Sequence, residues 1–99
     1  MEKITVKVPQ DLMIFIPAYL ESRRSDVKKI SAAIQNGDFE VIAYAGHRMR
    51  GTGRGYGFDQ ISLLGAALED AAEKNDILTI TAKLADLSRY LEHVQIEAA

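Results

Sequence analysis

The first residues of the chain alternate between apolar and polar side chains. Alternation of this kind is typical of extended backbone, so we expect an extended arm over about residues 1–8. Pro9 suits the first turn of a helix, and the apolar residues behind it predict a short N-terminal helix of one or two turns. They are Leu12, Met13, Phe15 and Ile16. Pro17 disfavours helix at the residue before it, so it is expected to end this segment and open the next.

Four longer segments follow in which apolar residues recur every three or four positions, the spacing of amphipathic helices. The first runs from about Pro17 to Asn36, and Gly37 is expected to end it in the left-handed conformation that glycine tolerates. Asp38 is a good N-cap for the second helix, because its carboxylate can accept hydrogen bonds from free backbone N–H groups. We expect the second helix to continue as far as Gly57.

The third helix starts at about Phe58-Asp59, and Asn75-Asp76 separates it from the fourth. The apolar stripe of the fourth helix consists of Ile77, Ile80, Leu84, Leu87, Leu91 and Val94. Short connections between long amphipathic helices indicate antiparallel neighbours. The sequence therefore predicts an all-α fold over residues 1–99. It is an antiparallel up-and-down four-helix bundle with a short extra N-terminal helix, in one domain.

The composition narrows the classes of function. At 99 residues the chain can bury one modest core and has no room for a separate substrate domain. Its net charge of −2 gives no reason to expect nucleic acid or an anionic membrane as partner. The absence of cysteine excludes disulfides and cysteine metal sites. No apolar stretch suits a signal peptide or a membrane span, so we expect a cytoplasmic protein.

One histidine in the second predicted helix points away from the core. At about 100° per residue, His47 lies roughly 140° from the centre of the apolar face and therefore on solvent. The residues one turn before and after it, Ala43 and Gly51, are small and leave the imidazole open to a bulky partner. Tyr44 and Arg54 share this face. These four neighbours of His47 are candidate partner-binding residues.

A cation lies beside this histidine, because Arg50 follows His47 by three residues on the same helix. A neutral imidazole has a free ring nitrogen that can act as a nucleophile. Arg50 could then stabilise the charge of an attached phosphoryl group. Across the turn at Gly37, residues about ten positions before the turn should be level with His47. Arg24 and Lys28 are therefore further candidates for the docking surface.

Other interpretations of these residues have less support. His93, outside the apolar stripe of the last helix, is expected to be solvated or to cap that helix. Glycines 51, 53, 55 and 57 alternate, and neither their spacing nor a preceding strand fits a phosphate-binding loop. The basic cluster of Arg48, Arg50 and Arg54 belongs to an acidic chain, so no nucleic-acid partner is expected. No second histidine stands at ligand spacing from His47, so no metal site is expected.

The arrangement resembles the histidine-containing phosphotransfer (HPt) domains of multistep two-component signalling. The family signature is a histidine, a lysine three residues later, a glycine next, small or hydroxyl residues, and a glycine ten residues after the histidine. The matching residues are His47, Gly51, Thr52 and Gly57. Arg50 stands in place of the lysine, which keeps the charge but changes the donor geometry, and Phe58 replaces a frequent alanine. The similarity extends over about Leu12 to Leu91, including Asn36-Gly37-Asp38-Phe39 and the run from Leu64 to Glu69.

The resemblance implies that His47 accepts a phosphoryl group from the aspartyl phosphate of a response-regulator receiver domain and passes it on. It also implies a hybrid histidine kinase as partner, no nucleotide or metal site in this chain, and Mg²⁺ only in the partner receiver. The protein is then a phosphocarrier and not an enzyme, and we expect it to be a monomer. The alternatives are a non-catalytic adaptor that binds a receiver or kinase, and a purely structural helical bundle.

Overall fold

The structure is a computed structural model that describes residues 3–99. In chain order its elements are β1 (Ile4–Val8), a 3-10 helix (Gln10–Phe15), α1 (Ile16–Asn36), α2 (Phe39–Thr52), a 3-10 turn (Arg54–Tyr56), α3 (Asp59–Glu73), α4 (Ile77–His93) and β2 (Val94–Ala98). Met1 and Glu2, which belong to the predicted extended arm, lie outside the described residues. Within residues 3–99, no helix is long and apolar enough to cross a membrane.

The predicted boundaries at the first and last helix connections are confirmed. Gly37 has a φ of +66° and ends α1 in the left-handed conformation. Asp38 caps α2, since its Oδ1 accepts a hydrogen bond from the N–H of Val41 at 3.3 Å. Asp76 caps α4 in the same way, accepting the N–H of Thr79 at 3.1 Å and its hydroxyl at 2.6 Å. Local hydrogen bonding by short polar side chains therefore defines where these helices begin.

The second helix ends earlier than predicted, at Thr52 and not at Gly57. The N–H of Arg54 donates to Ser62 Oγ of α3 at 2.7 Å, so the chain turns toward α3 at this point. The backbone tightens into the 3-10 turn, and Gly57 ends that turn with a φ of +97°. Gly57 therefore ends the 3-10 turn that follows α2, and it does not end α2 itself.

The two ends of the chain pair as a parallel two-stranded sheet, which the periodicity of the helices did not predict. The predicted extended arm forms β1, with Ile4 opposite Val94 and Val8 opposite Ala98 of β2. The placement of Val94 on the helical stripe is wrong, because α4 ends at His93 and Val94 has extended backbone angles. The apolar–polar alternation of residues 94–97 was the available signal. The fold is thus mostly helical, with a small sheet in addition.

Helices α2 and α3 approach each other so closely that side chains are excluded between them. A Cβ on Gly65 would lie 2.6 Å from the backbone N of Arg50 and the backbone O of Gly46. A Cβ on Gly46 would lie 2.7 Å from the backbone N of Glu69, and one on Gly53 would meet the start of α3. The end of α2 thus contacts the start of α3, so these two helices run in opposite directions.

The remaining contacts complete a helical bundle. Helix α1 packs against α2 and α4, and α3 packs against the same two helices. The largest fully buried side chains come from all four helices, from β1 and from the residue before α3: Val8, Ile16, Ile30, Ile42, Met49, Phe58, Ile61, Leu68, Ile80 and Leu87. The apolar residues of β1 and β2 pack against this core. Burial of this apolar surface is the main favourable term in folding.

We expect Gly65→Ala to destabilise the fold by about 1–3 kcal/mol, the usual cost of overpacking. The added Cβ would lie 2.6 Å from backbone atoms of α2, which cannot move independently of their helix. Gly55→Ala is the matched control, because its Cβ would meet nothing within 4 Å. Urea denaturation gives the free energy of unfolding of both variants. Equal stabilities would contradict the close approach of α2 and α3.

The cap of α4 predicts a pH dependence of stability. Hydrogen bonds from the hydroxyl and the N–H of Thr79 hold the pKa of Asp76 below its ordinary value of 3.8. The charged cap therefore contributes stability above pH 3.8, and this contribution is lost as the pH falls through the lower folded-state pKa. We expect the stability advantage of wild type over Asp76→Asn to shrink below pH 3.8 in acid denaturation. An advantage that did not change with pH would argue against the charged cap.

Candidate functional site

His47 lies on the exposed side of α2, next to α3, and its side chain is 59% exposed. Because Gly46 allows the two helices to approach, the backbone of Glu69 lies against α2 beside His47. The Glu69 side chain is only 18% exposed, and its Oε2 lies 2.9 Å from Nδ1 of His47. The helix contact therefore places a carboxylate against one nitrogen of a solvent-exposed imidazole.

The contact with Glu69 assigns the hydrogen of the imidazole ring. A carboxylate only accepts hydrogen bonds, so Nδ1 must carry the hydrogen that it shares with Glu69. The lone pair of the neutral ring then resides on Nε2. Arg50 Nη2 also lies 3.2 Å from Nδ1, but a protonated nitrogen cannot accept from it. The hydrogen-bond network thus directs the nucleophilic nitrogen away from Glu69.

Arg50 completes the cluster, which we call the His47 network and define as His47, Arg50 and Glu69. Its Nη1 lies 3.1 Å from Glu69 Oε1, within the distance of an ion pair. Oε1 is buried and has no hydrogen-bond partner within residues 3–99. The charge of the Arg50 side chain, itself 52% exposed, therefore compensates a carboxylate oxygen that has lost its water. The predicted proximity of Arg50 to His47 is observed.

The other candidate residues on α2 surround His47 in different ways. Ala43 is half-buried against the core, whereas Tyr44 is 66% exposed and carries the Arg48 guanidinium 5.7 Å above its ring. Gly51 faces open space, since a Cβ there would meet nothing within 4 Å. Arg54 lies beyond the end of α2, with its Nε 3.7 Å from Asp59 Oδ1. Tyr44 and Gly51 therefore offer exposed surface on the same helix as His47.

Arg24 and Lys28 are not brought to the same side of the molecule. They line a groove between α1 and α4, together with residues Ser88 and Glu92 of α4. On α1, Tyr19 faces α2, and its hydroxyl lies 2.9 Å from Thr52 Oγ1. Arg24 follows Tyr19 by five residues on the same helix. At about 100° per residue it lies about 140° around the helix from Tyr19, so it points away from α2.

Two positions differ from what the sequence indicated. Glu69 was not singled out as a site residue, although it lies four residues after Gly65 on the face of α3 that meets α2. A carboxylate on the face that carries a packing glycine was the available signal. His93, expected to be solvated or capping, is the last residue of α4 and is half-buried. Its Nδ1 is buried and has no hydrogen-bond partner among the described residues.

The fold and the site define a class of protein. It is a helical domain that presents one exposed imidazole, held at Nδ1 by a carboxylate and flanked by a cation. The family model of the Hpt domain matches residues 15–97, and the chain therefore belongs to the Hpt domain family. Hpt domains are phosphocarrier modules of two-component phosphorelays. No curated protein and no solved structure matches the chain significantly. Residues 3–99 contain no cluster of three or more metal-ligating side chains.

The ring assignment predicts a spectroscopic signature. In nitrogen-15 spectra at a pH where His47 is neutral, Nδ1 should give the signal of a protonated nitrogen and Nε2 that of a nitrogen with a lone pair. In Glu69→Ala the constraint is removed, so both tautomers should be populated and the two signals should approach each other. His93 serves as an internal control, and its signals should stay in place. An unchanged His47 spectrum in Glu69→Ala would contradict the assignment.

Proposed function

We propose that this protein is a histidine phosphotransfer protein that carries phosphoryl groups between the aspartates of receiver domains through His47. The observation that carries the proposal is the contact between Nδ1 and Glu69, because it leaves the ring lone pair on Nε2 of an exposed side chain. A lone pair on an accessible nitrogen can attack a phosphorus atom that a partner domain presents. The membership of the Hpt domain family supports the same reaction.

In the proposed transfer, Nε2 attacks the phosphorus of an aspartyl phosphate. A P–N bond forms and the P–O bond to the aspartate breaks, with its electron pair remaining on the aspartate as a carboxylate. Attack by the aspartate of a second receiver reverses these changes and returns the lone pair to Nε2. We propose that the Mg²⁺ of the reaction is bound by the receiver, so that this chain supplies the imidazole and its surroundings and no cofactor.

Glu69 and Arg50 have complementary roles in this proposal. A ring with a phosphoryl group on Nε2 and a hydrogen on Nδ1 is positively charged, and a carboxylate 2.9 Å from Nδ1 stabilises that charge. The Arg50 side chain is 52% exposed and can make charge-assisted hydrogen bonds with the phosphoryl oxygens. Arg50 would then exchange its contact with Glu69 Oε1 for contacts with the phosphoryl group.

The proposal includes the setting of the reaction. A hybrid histidine kinase and response-regulator receivers are the partners, and the protein acts as a cytoplasmic monomer. Tyr44, Gly51 and Arg54 are proposed to contact the partner with Ala43, because they lie around His47 on or just after α2. We also propose that all four helices follow an antiparallel up-and-down order. The two-residue connection at Gly37 and the short one at Asn75 support this order.

Labelling with a phosphorylated receiver domain and Mg²⁺ tests the proposed function. We expect phosphate on the protein that is stable in alkali and lost in acid, as befits a P–N bond. His47→Gln should reduce the label to background, because the amide has no comparable lone pair. His93→Gln is the matched control and should be labelled like wild type.

Two results would overturn the proposed function. One is a wild-type protein that takes no label from any receiver of its own organism. The other is a His47→Ala variant that keeps both partner binding and the output of the pathway. The second result would identify a non-catalytic adaptor.

A further inference from the structure

A groove runs along the outer side of α3, between this helix and α4. Its volume is about 500 Å³, and its lining includes Ile4 of β1. On α3 it is lined by Gln60, Leu63, Leu64 and Ala67. At about 100° per residue these positions lie about 170° around α3 from Glu69. The groove, which we call the α3–α4 groove, is therefore on the opposite side of α3 from the His47 network.

The α3 side of the groove is apolar and long enough for an extended ligand. Leu63 is 55% exposed, and its neighbour one turn later in the lining is the small Ala67. An apolar group that covers Leu63 would remove this surface from water, which is favourable. From Gln60 to Ala67 the helix rises about 10 Å, the length of an extended chain of about eight carbon atoms. The α3–α4 groove thus fits an aliphatic chain of that size.

Three residues with hydrogen-bond donors lie at one end of the α3–α4 groove. Gln60 and Tyr90 stand at equal distances from the connection between α3 and α4, and both line the groove. Arg89, the residue before Tyr90, lines it as well. A side-chain amide, a phenol and a guanidinium can all donate hydrogen bonds. This end of the groove therefore favours a ligand group that accepts hydrogen bonds.

Tyr90 contributes a hydroxyl that the fold itself does not use. The residue is only 6% exposed, yet its hydroxyl takes part in none of the side-chain hydrogen bonds within residues 3–99. It is also not among the fully buried atoms without a partner, so it reaches the surface at the groove that Tyr90 lines. Burial, with smaller effects of Asp59 and Tyr19, raises the pKa of Tyr90 to about 12. The hydroxyl therefore stays protonated at neutral pH and can donate to a ligand.

The charges at the groove favour an anion with a single negative charge. Arg89 is exposed and takes part in none of the ion pairs that residues 3–99 form. Lys83, the other cation in the lining, is already paired with Asp86, with 3.9 Å between Nζ and Oδ2. The carboxylates of Asp86 in the lining and of Asp59, whose charge acts on Tyr90, repel a second negative charge on a ligand. A carboxylate therefore matches the single unpaired guanidinium better than a doubly charged phosphate does.

We propose that the α3–α4 groove binds an amphipathic monocarboxylic acid. Its carboxylate accepts hydrogen bonds from Arg89, Gln60 and the Tyr90 hydroxyl, and its aliphatic chain covers Leu63 and reaches Ala67. An apolar lining with a few placed polar groups is the usual composition of a small-molecule site. The site lies on the opposite side of α3 from the His47 network, and it does not rest on the proposed function.

Octanoate is the probe for this site, because its chain length and its charge match the groove. A titration followed by two-dimensional nitrogen-15 NMR should show one saturable site with a Kd of about 1 mM or lower. The amide signals that shift should belong to β1, α3 and the second half of α4. Octanol, which lacks the charge, and butyrate, which lacks most of the chain, should each bind at least about tenfold more weakly.

Two variants examine the donors one at a time. Arg89→Gln removes the cation and should weaken octanoate binding at least about tenfold. Tyr90→Phe removes only the hydroxyl and should weaken binding about three- to tenfold. Because that hydroxyl has no partner in the fold, Tyr90→Phe should unfold at the wild-type temperature or above it. Arg24→Gln is the matched control: it removes an arginine of α1 that does not line the groove, and it should bind octanoate like wild type.

Three results would overturn this site: wild type without saturable octanoate binding, octanol that binds as tightly as octanoate, or Arg89→Gln that binds octanoate like wild type. A dimer in sedimentation that Leu63→Ser dissociates would assign the groove to a second copy and would overturn the site as well. His47→Gln should bind octanoate like wild type, whether or not the protein carries phosphate. A change in its affinity for octanoate would contradict the separation of the groove from the His47 network.

Discussion

The contact between the backbones of α2 and α3 is the constraint on which the site depends. At Gly46 and Gly65 the two helices meet without intervening side chains. A Cβ added to either glycine would lie within 2.7 Å of the backbone of the other helix. This distance decides how far a side chain of α3 must reach to touch α2. Glu69 spans the gap and contacts both His47 and Arg50. With larger residues at the contact, the helices would move apart and the carboxylate would no longer meet the imidazole.

The His47 network combines a partly buried charge with an exposed ring. Glu69 is 18% exposed, so its charge is costly unless a cation and a hydrogen-bond donor lie near it. In the His47 network Arg50 is the cation and His47 is the donor. His47 is 59% exposed, so its orientation would vary among rotamers if nothing held Nδ1. The partly buried carboxylate thus gains a hydrogen-bond donor, while the exposed ring loses conformational freedom. The result is a ring nitrogen that is both accessible and oriented.

Features that depend on interactions between residues close together in the chain are predicted well from the sequence. The helix periods, the Asp38 and Asp76 caps and the neighbouring positions of His47 and Arg50 all follow from spacings of three or four residues. Contacts between distant segments were harder to predict. The link from His47 to Glu69 spans 22 residues, and the pairing of β1 with β2 joins the two ends of the chain. Both depend on how segments far apart in the sequence are arranged in space, which spacings of three or four residues do not determine.

The exposed glycines reveal how one helix meets two different demands. On the side of α2 that faces α3, glycine stabilises the fold because it allows close packing. At Gly51 on the exposed side, the same residue type lowers helix stability and fills no gap. Exposure of Phe15 beside Gly51 adds a second unfavourable feature at the same place. Both features lower the stability of the isolated bundle, so the packing of its core does not explain them.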